Sequence, residues 1–354
     1  MSLGDKKRER GHDAISSTKD IGPQILLAHG AGGELSRQLV ENIFFKYFNN
    51  ETLKPLADAA VLDFPGCRLA FTTDSFVVRP LFFPGGDIGK LAVCGTVNDL
   101  AVSGAKPLFL TASFIIEEGL PLSVLEQVTR SLGETCQTAG VKVVAGDTKV
   151  VEKGHGDLIF INTAGIGLIP ANLDLGQHRL APGDLVIVNG PVGDHGLAVL
   201  LERENLGLES GVISDCAPLN GIIAKILEKV PDIKMMRDLT RGGLATAVKE
   251  IALGAGVDIW LDEPSIPVDD QVRGALDILG LEPLYMANEG KFVVFAAPED
   301  APMVIEIMAN DPHGGQTAII GEVTKGTGNV LLKTMLGGTQ VLDLLAGDPL
   351  PRIC

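Results

Sequence analysis

Four aspartates stand at the ends of apolar runs, where a carboxylate needs a partner. They are Asp74 in FTTDSF, Asp99 in GTVNDLAVSGA, Asp147 in VAGDTKV and Asp238 in RDLTRGG. Burying a carboxylate is costly unless a cation or hydrogen bonds satisfy it. Mg²⁺ takes oxygen ligands and shares them with nucleotide phosphates. Any one of these aspartates could simply cap a helix or turn, but the four together favour a magnesium–nucleotide site.

A glycine turn and two isolated charges add to this pattern. HGAGGE at 29–34 follows the apolar stretch ILLA, and its backbone N–H groups could approach phosphate oxygens. Lys149 in GDTKV and Glu289 in MANEGK flank predicted buried strands, where partial desolvation favours proton transfer. Taken alone, the turn could be only a turn and each charge a solvated loop residue. His195 in PVGDHG lacks a second histidine at metal spacing, so we expect it to cap or pack.

The elements that must position these residues alternate between strands and helices. Short β-rich runs such as RLAFTTDSF and LIFINTAGIGLI are separated by helical stretches. The pattern restarts at LVIVNG and continues with the β-rich runs VDIWLDE, KFVVFAA and TAIIGEV. We predict an α/β (α+β) protein of two domains, 21–170 and 171–336. The polar segment 1–20 is predicted to be a disordered tail, and 337–354 a tail punctuated by glycine and proline.

Composition narrows the function further. The 29 basic and 45 acidic residues give a net charge of −16, which argues against nucleic acid as a partner. No apolar run is long enough to span a bilayer and the opening lacks a signal-peptide core, so we expect a cytoplasmic protein with no membrane partner. The five cysteines show no CxxC spacing, which argues against a zinc site or a disulfide framework.

The motifs together resemble one family. AHGAGG, FTTDSFVV, FPGGDIGKLAVCGTVNDLAVSGA, AGDTKVV, GPVGDHG, RDLTRGG, ANEGK and the final PRIC are similar to the hydrogenase maturation factor HypE family. That family lies in the superfamily of aminoimidazole ribonucleotide synthetase (PurM) and selenophosphate synthetase. The resemblance implies a two-domain AIR synthase-like fold whose N-terminal domain binds ATP and forms a homodimer.

The resemblance also implies an activity. A carbamoyltransferase, HypF, would load a carbamoyl group onto the sulfur of Cys354, and ATP would drive its dehydration to a thiocyanate. The cyanide would pass to iron on a HypC–HypD scaffold, as a ligand of NiFe hydrogenase. The two prolines Pro349 and Pro351 favour an extended arm that lets Cys354 visit each partner.

Residue roles follow from matching motif positions. In the implied chemistry Asp74, Asp99 and Asp147 hold Mg²⁺, and Glu289 with Lys149 handles protons. The implied ATP-binding residues are His29, Gly30, Gly32, Gly33, Asn98, Asp147, Thr148 and Asp238.

Two alternatives stay open at this point. One is a sibling synthetase of the selenophosphate or aminoimidazole ribonucleotide type, although no cysteine precedes Cys67 to serve as the selenophosphate enzyme's early nucleophile. The other is a nucleotide-binding scaffold without catalysis that only presents its tail to partners.

Overall fold

The computed structural model describes residues 25–30, 33–48, 50–55, 57–204, 211–345, 347 and 352–354. The predicted tail 1–20 lies outside these residues, as do Gly32, Pro349 and Pro351. No helix in the described part is long and apolar enough to cross a membrane. The α-helices described are α1 (Glu34–Leu39), α2 (Phe45–Phe48), α3 (Ile88–Val102), α4 (Leu122–Ala139), α5 (Asp194–Glu204), α6 (Asn220–Lys229), α7 (Gly243–Ala255), α8 (Asp270–Leu279) and α9 (Ala301–Ala309).

The strands form two large sheets and one short hairpin. Their bounds are β1 (Ala60–Phe64), β2 (Cys67–Phe76), β3 (Phe82–Phe83), β4 (Gly86–Asp87), β5 (Lys106–Glu117), β6 (Lys142–Val151), β7 (Ile159–Ile169), β8 (Leu185–Val188), β9 (Met235–Asp238), β10 (Asp258–Asp262), β11 (Phe292–Ala296), β12 (Ala318–Thr324), β13 (Val330–Lys333) and β14 (Thr339–Leu342).

The first sheet has the order β1-β2-β7-β5-β6 and packs α3 against one face. Its neighbours are antiparallel except for the parallel pair β5 and β6. Small residues on β7 let the helix approach closely: a Cβ at Gly165 would lie 2.7 Å from the Thr96 methyl carbon of α3. This inner face is therefore covered by a helix, as the alternating burial of β7 requires.

Helix α3 is the element that carries chemistry into the middle of the molecule. The Asp87 side chain caps it by accepting hydrogen bonds from the amides of Gly89 (2.7 Å) and Lys90 (3.2 Å). The helix is buried on nearly every side because it contacts the first sheet, α4, α6 and β9. Asn98 and Asp99 near its end therefore lie between the two sheets.

The second sheet has the order β14-β13-β10-β12-β8-β11-β9, with β10 and β13 as its one parallel pair among the described strands. The predicted strands LVIVNG, VDIWLDE, KFVVFAA and TAIIGEV are confirmed as β8, β10, β11 and β12. Part of the predicted tail 337–354 is a strand, at Thr339–Leu342. These residues form β14, because they can complete a hairpin with β13 at the edge of the sheet.

Candidate functional site

Three aspartates from separate elements converge between the two sheets. Asp58 precedes β1, Asp99 lies on α3 and Asp238 ends β9, and one carboxylate oxygen of each lies within 4.8 Å of the others. Burial and the charge of Asp58 raise the pKa of Asp238 to about 8. Burial and the negative charges of Asp238 and Asp58 raise the pKa of Asp99 well above its usual range.

The chemistry of this cluster fits a divalent cation. Asp238 Oδ2 is buried and has no hydrogen-bond partner among the described residues. Arg237 pairs with Asp58 at 2.9 Å, but it also pairs with Glu250 at 3.0 Å, so positive charge at the cluster is shared. Clustered carboxylates with a spare oxygen are what Mg²⁺ needs. Asp58 was not predicted from the sequence, since its only signal is an acidic residue just before the apolar AAVL.

The predicted metal ligands Asp74 and Asp147 fall on opposite faces of the first sheet. Asp74 faces the cluster, and burial raises its pKa while Arg241 opposes that shift. Pairing across β7 and β5 places Gly146, and not Asp147, on the same cross-strand row as Asp74. Because successive side chains of a strand point to opposite faces, the Asp147 side chain lies on the outer face of the sheet. Three strand spacings of about 4.8 Å also separate the two strands. Within one chain, Asp147 therefore does not join Asp74 and Asp99.

Lys149 is likewise on the outer face. Its ammonium lies 2.6 Å from Asp147, and both side chains are more than 60 % exposed. The expectation that Lys149 follows a buried strand is wrong, because β6 is the exposed edge strand of the sheet. Thr148, between them, is exposed as well. Lys149 and Glu289 thus do not meet within one chain.

Glu289 is held rigidly beside the acidic cluster. It is 2 % exposed, and Oε1 has no partner among the described residues. Burial raises the pKa of Glu289 well above its usual range, and the nearby Cys216 and Asp238 add to the shift. Asp215 fixes the turn by accepting hydrogen bonds from the amides of Glu289 (3.0 Å) and Gly290 (3.3 Å).

Asn98 supports this turn from α3. Its side-chain amide donates to the carbonyl oxygens of Ala217 (3.1 Å) and Glu289 (3.3 Å), and its oxygen accepts from the Leu219 amide at 2.8 Å. Both amide hydrogens are therefore used by backbone carbonyls. This geometry favours a positioning role over the direct ATP contact implied by the resemblance.

The glycine turn lies beside the same cluster. Arg241, just after Asp238, donates to the Gly30 carbonyl at 3.1 Å. His29 is buried, and a Cβ at Gly33 would lie 2.4 Å from the Leu345 carbonyl oxygen, so only glycine fits there. Gly32 lies outside the described residues. A polar cavity of about 120 Å³ lies here, and it is lined by Arg237, Asp238, Thr240, Arg241, Thr246, Ala247 and Glu250.

Residues 352–354 lie against the residues that follow β2. The amides of Val77 and Arg79 donate to the carbonyls of Cys354 (3.3 Å) and Arg352 (3.2 Å). Ile353 is 4 % exposed within an apolar cluster of the first sheet and α3. The charge at Cys354 is the largest influence on the pKa of Arg241 and raises it, as Asp74 and Glu289 also do, while burial opposes the shift. The structure thus places Cys354 near the acidic cluster and Glu289. The predicted proline arm itself lies outside the described residues.

The fold and site define the class of protein. Residues 56–169 match the N-terminal domain of the AIR synthase related proteins, and residues 181–333 match the C-terminal domain of the same proteins. The two sheets, with an aspartate cluster between them, are therefore those of an AIR synthase-like α/β protein, as the motifs predicted.

Individual relatives narrow the class to one family. The chain is 46 % identical to carbamoyl dehydratase HypE of Rhodobacter capsulatus over 94 % of this chain and 98 % of that one. It is 48 % identical to the Escherichia coli K12 protein of the same name, over 93 % and 99 %. A crystal structure of HypE in complex with ATP superposes with a TM-score of 0.79 at 44 % identity, covering 94 % of this chain and all of the other. A HypE–HypF complex gives a TM-score of 0.83 at 47 % identity, covering 87 % and 99 %.

The chain belongs to the carbamoyl dehydratase HypE family. It is an enzyme of hydrogenase maturation, and neither the sibling synthetase nor the scaffold alternative finds support among these relatives.

Proposed function

We propose that this protein uses ATP to dehydrate a carboxamide carried on the sulfur of Cys354, which leaves a thiocyanate. The observation that carries the proposal is the seating of residues 352–354 against Val77–Arg79. It brings the sulfur carrier to the place where Arg241, Glu289 and the acidic cluster converge. A carboxamide that reached this place would meet both the nucleotide side and the proton-accepting side of the site.

The nucleotide side is assigned to the acidic cluster and the glycine turn. Asp58, Asp99 and Asp238 would hold Mg²⁺, with Asp74 beside them, and Mg-ATP supplies the phosphoryl group that turns the amide oxygen into a leaving group. His29, Gly30 and Gly33 would lie along the phosphates, and Gly32 is proposed as an ATP-binding residue with them. Arg241 interacts electrostatically with both Cys354 and Asp74, so its guanidinium can stabilise negative charge on the transferred group.

Glu289 is assigned as the base. Loss of the elements of water from S–C(=O)NH₂ requires that two N–H protons leave with the oxygen. Oε1 of Glu289 is buried and has no hydrogen-bond partner in the described part of the chain, and the surroundings that raise the pKa of Glu289 make its ionised form a stronger base. The Asp215 and Asn98 contacts fix the Glu289 backbone, which limits the positions that its carboxyl group can take.

A homodimer would give Asp147, Thr148 and Lys149 a place in this chemistry. The outer face of the first sheet exposes large apolar side chains in one cross-strand row, namely Phe71, Ile166 and Phe109. An exposed apolar face of this kind marks an interaction surface. We place the dimer contact on it, so that Asp147 and Lys149 of one copy act across the interface. Phe71→Asp should then yield monomers in sedimentation and lose ATP turnover, whereas Val341→Asp, on an exposed residue of the second sheet, should not.

Partners, compartment and domain limits complete the proposal. HypF is the proposed carbamoyl donor, as the HypE–HypF complex of a relative supports. A HypC–HypD scaffold is the proposed cyanide acceptor, and the cytoplasm is the proposed compartment. We propose domains at 21–170 and 171–342. The residues after β14, 343–354, carry Cys354 and are called the carrier segment.

Intact-mass spectrometry tests the central step. With carbamoyl phosphate, HypF and ATP, the peptide ending in Cys354 should first gain a carbamoyl group and then lose one water. Cys354→Ala should abolish both changes, while Cys67→Ala, which removes an exposed cysteine, should leave them intact. Thiocyanate on the Cys354→Ala protein would refute the proposal. With Glu289→Gln, the carbamoyl group should accumulate without loss of water.

A further inference from the structure

His195 contacts the carrier segment from the interior of the molecule. It is the second residue of α5 and is completely buried. Its Nε2 lies 3.0 Å from the carbonyl oxygen of Ile353, the residue before Cys354, and its Nδ1 lies 2.8 Å from Ser214 Oγ. Phe83 packs edge-on against the ring at 5.4 Å. The ring therefore cannot turn without giving up a contact on each side.

These contacts define one tautomer. A carbonyl oxygen can only accept, so Nε2 carries the hydrogen that is donated to Ile353. Nδ1 is then the acceptor for the Ser214 hydroxyl, whose oxygen in turn accepts the Cys216 amide at 3.1 Å. Burial lowers the pKa of His195, which keeps the ring neutral, as this pattern requires.

The chain of contacts continues to the proposed base. Ser214 is followed by Asp215, whose carboxylate accepts the amides of Glu289 and Gly290. The Ser214 amide also donates to the Pro84 carbonyl at 2.8 Å, so the loop is anchored to the first sheet's side of the molecule. His195 thus joins the backbone that carries the sulfur to the loop that holds Glu289.

We propose that His195 is a positioning residue, which fixes the register of the carrier segment so that Cys354 stands opposite Glu289. The inference rests on the proposed function for its purpose, but the docking it describes does not depend on turnover. Arg203 makes a second contact with the carrier segment, since it donates hydrogen bonds to the carbonyls of Arg79 and Arg352. His195 differs from Arg203 in reaching the residue adjacent to the cysteine.

Two substitutions separate the two ring contacts. The Gln side-chain amide can occupy the place of Nε2, so His195→Gln can keep the bond to Ile353. The shorter Asn amide reaches only the place of Nδ1, so His195→Asn can keep the Ser214 contact and loses the carrier segment. Both replacements are uncharged and polar, which makes each the other's control.

The experiment measures how fast iodoacetamide alkylates Cys354 in the unloaded full-length protein, with exposed Cys67 as the internal reference. His195→Asn should raise the Cys354 rate about fivefold relative to Cys67, the change expected for loss of one neutral hydrogen bond. His195→Gln should stay close to the unsubstituted protein. In single-turnover dehydration of the carbamoylated protein, Asn should slow loss of water and Gln should restore it.

Equal alkylation rates in the Asn and Gln variants would overturn the inference. If His195→Asn does not fold, Ser214→Ala decides instead. It frees the ring to turn and should raise the Cys354 rate, and an unchanged rate in a folded Ser214→Ala protein would also overturn the inference. A shift in alkylation without any dehydration of the unsubstituted protein would instead refute the proposed function and leave the docking role intact.

Discussion

The seat of Ile353 allows a quantitative prediction about the carrier segment. Ile353 is 4 % exposed and packs among the apolar side chains of one cluster. Burial of a CH₂ group contributes about 0.8 kcal/mol, so Ile353→Val should weaken docking by about that amount, or roughly fourfold. Ile353→Ala removes three carbons and about 2.4 kcal/mol, which corresponds to a shift of roughly 50-fold toward the released segment.

Hydrogen exchange can measure this shift directly. The Val77 and Arg79 amides donate to carbonyls of the docked segment, at 3.3 and 3.2 Å, so they should exchange each time the segment leaves. The Ile88 amide donates to the Leu81 carbonyl at 2.9 Å in the same region and makes no hydrogen bond to the described residues 352–354. It is the control.

We expect both reporter amides to exchange roughly fourfold faster in Ile353→Val and roughly 50-fold faster in Ile353→Ala, with the control unchanged. Unaltered protection at Val77 and Arg79 in Ile353→Ala would refute the claim that burial of this side chain holds the segment. Equal acceleration of the control amide would show a global loss of stability, and the local argument would fail in that case too.

Three further predictions concern the site and its support. Asp58→Asn should weaken Mg²⁺ binding at least tenfold in calorimetry, because one of three clustered charges is lost, and unchanged affinity would remove Asp58 from the metal site. Burial and the charge of Asp215 raise the pKa of Asp194 from 3.8 to about 7, so the folded state binds the extra proton and loses stability as pH rises through that range. In urea unfolding, Asp194→Asn should therefore be more stable than the natural chain at pH 8 by about 1 kcal/mol after solvent screening, and the gap should narrow toward pH 5. Gly290→Ala would put a Cβ 2.0 Å from the Asp215 carbonyl oxygen, so its melting temperature should fall and dehydration should be lost, while Gly315→Ala, which has open space, should be neutral.

Much of the strand and helix pattern was predictable because it depends on local periodicity. The apolar runs of β8, β10, β11 and β12 and the capped start of α3 follow from neighbouring residues alone. The site was predictable only in part. Asp74, Asp99, Asp238 and Glu289 were recognised as acidic residues at element ends, and the structure turns all four toward one cleft.

Asp147, predicted as a metal ligand, shows the limit of local sequence patterns. Asp147 resembles Asp74 in its surroundings along the chain, but a sheet alternates its side chains, so one residue of register decides which face each occupies. That register is set by pairing across β7 and β5, between residues far apart in sequence. Asp58 was missed for the related reason that its partners, Asp99 and Asp238, lie on other elements.

The amino-acid sequence by itself determined the family, the alternation of strands and helices, and the PRIC motif that contains Cys354. These features depend on residue types and short spacings, which are local in the sequence. The tertiary structure alone decided which carboxylates converge and where Cys354 rests. Ile353 contacts His195, and the amides of Val77 and Arg79 donate to carbonyls of the carrier segment. Such contacts form only when packing brings together parts of the chain that are more than 150 residues apart in the sequence.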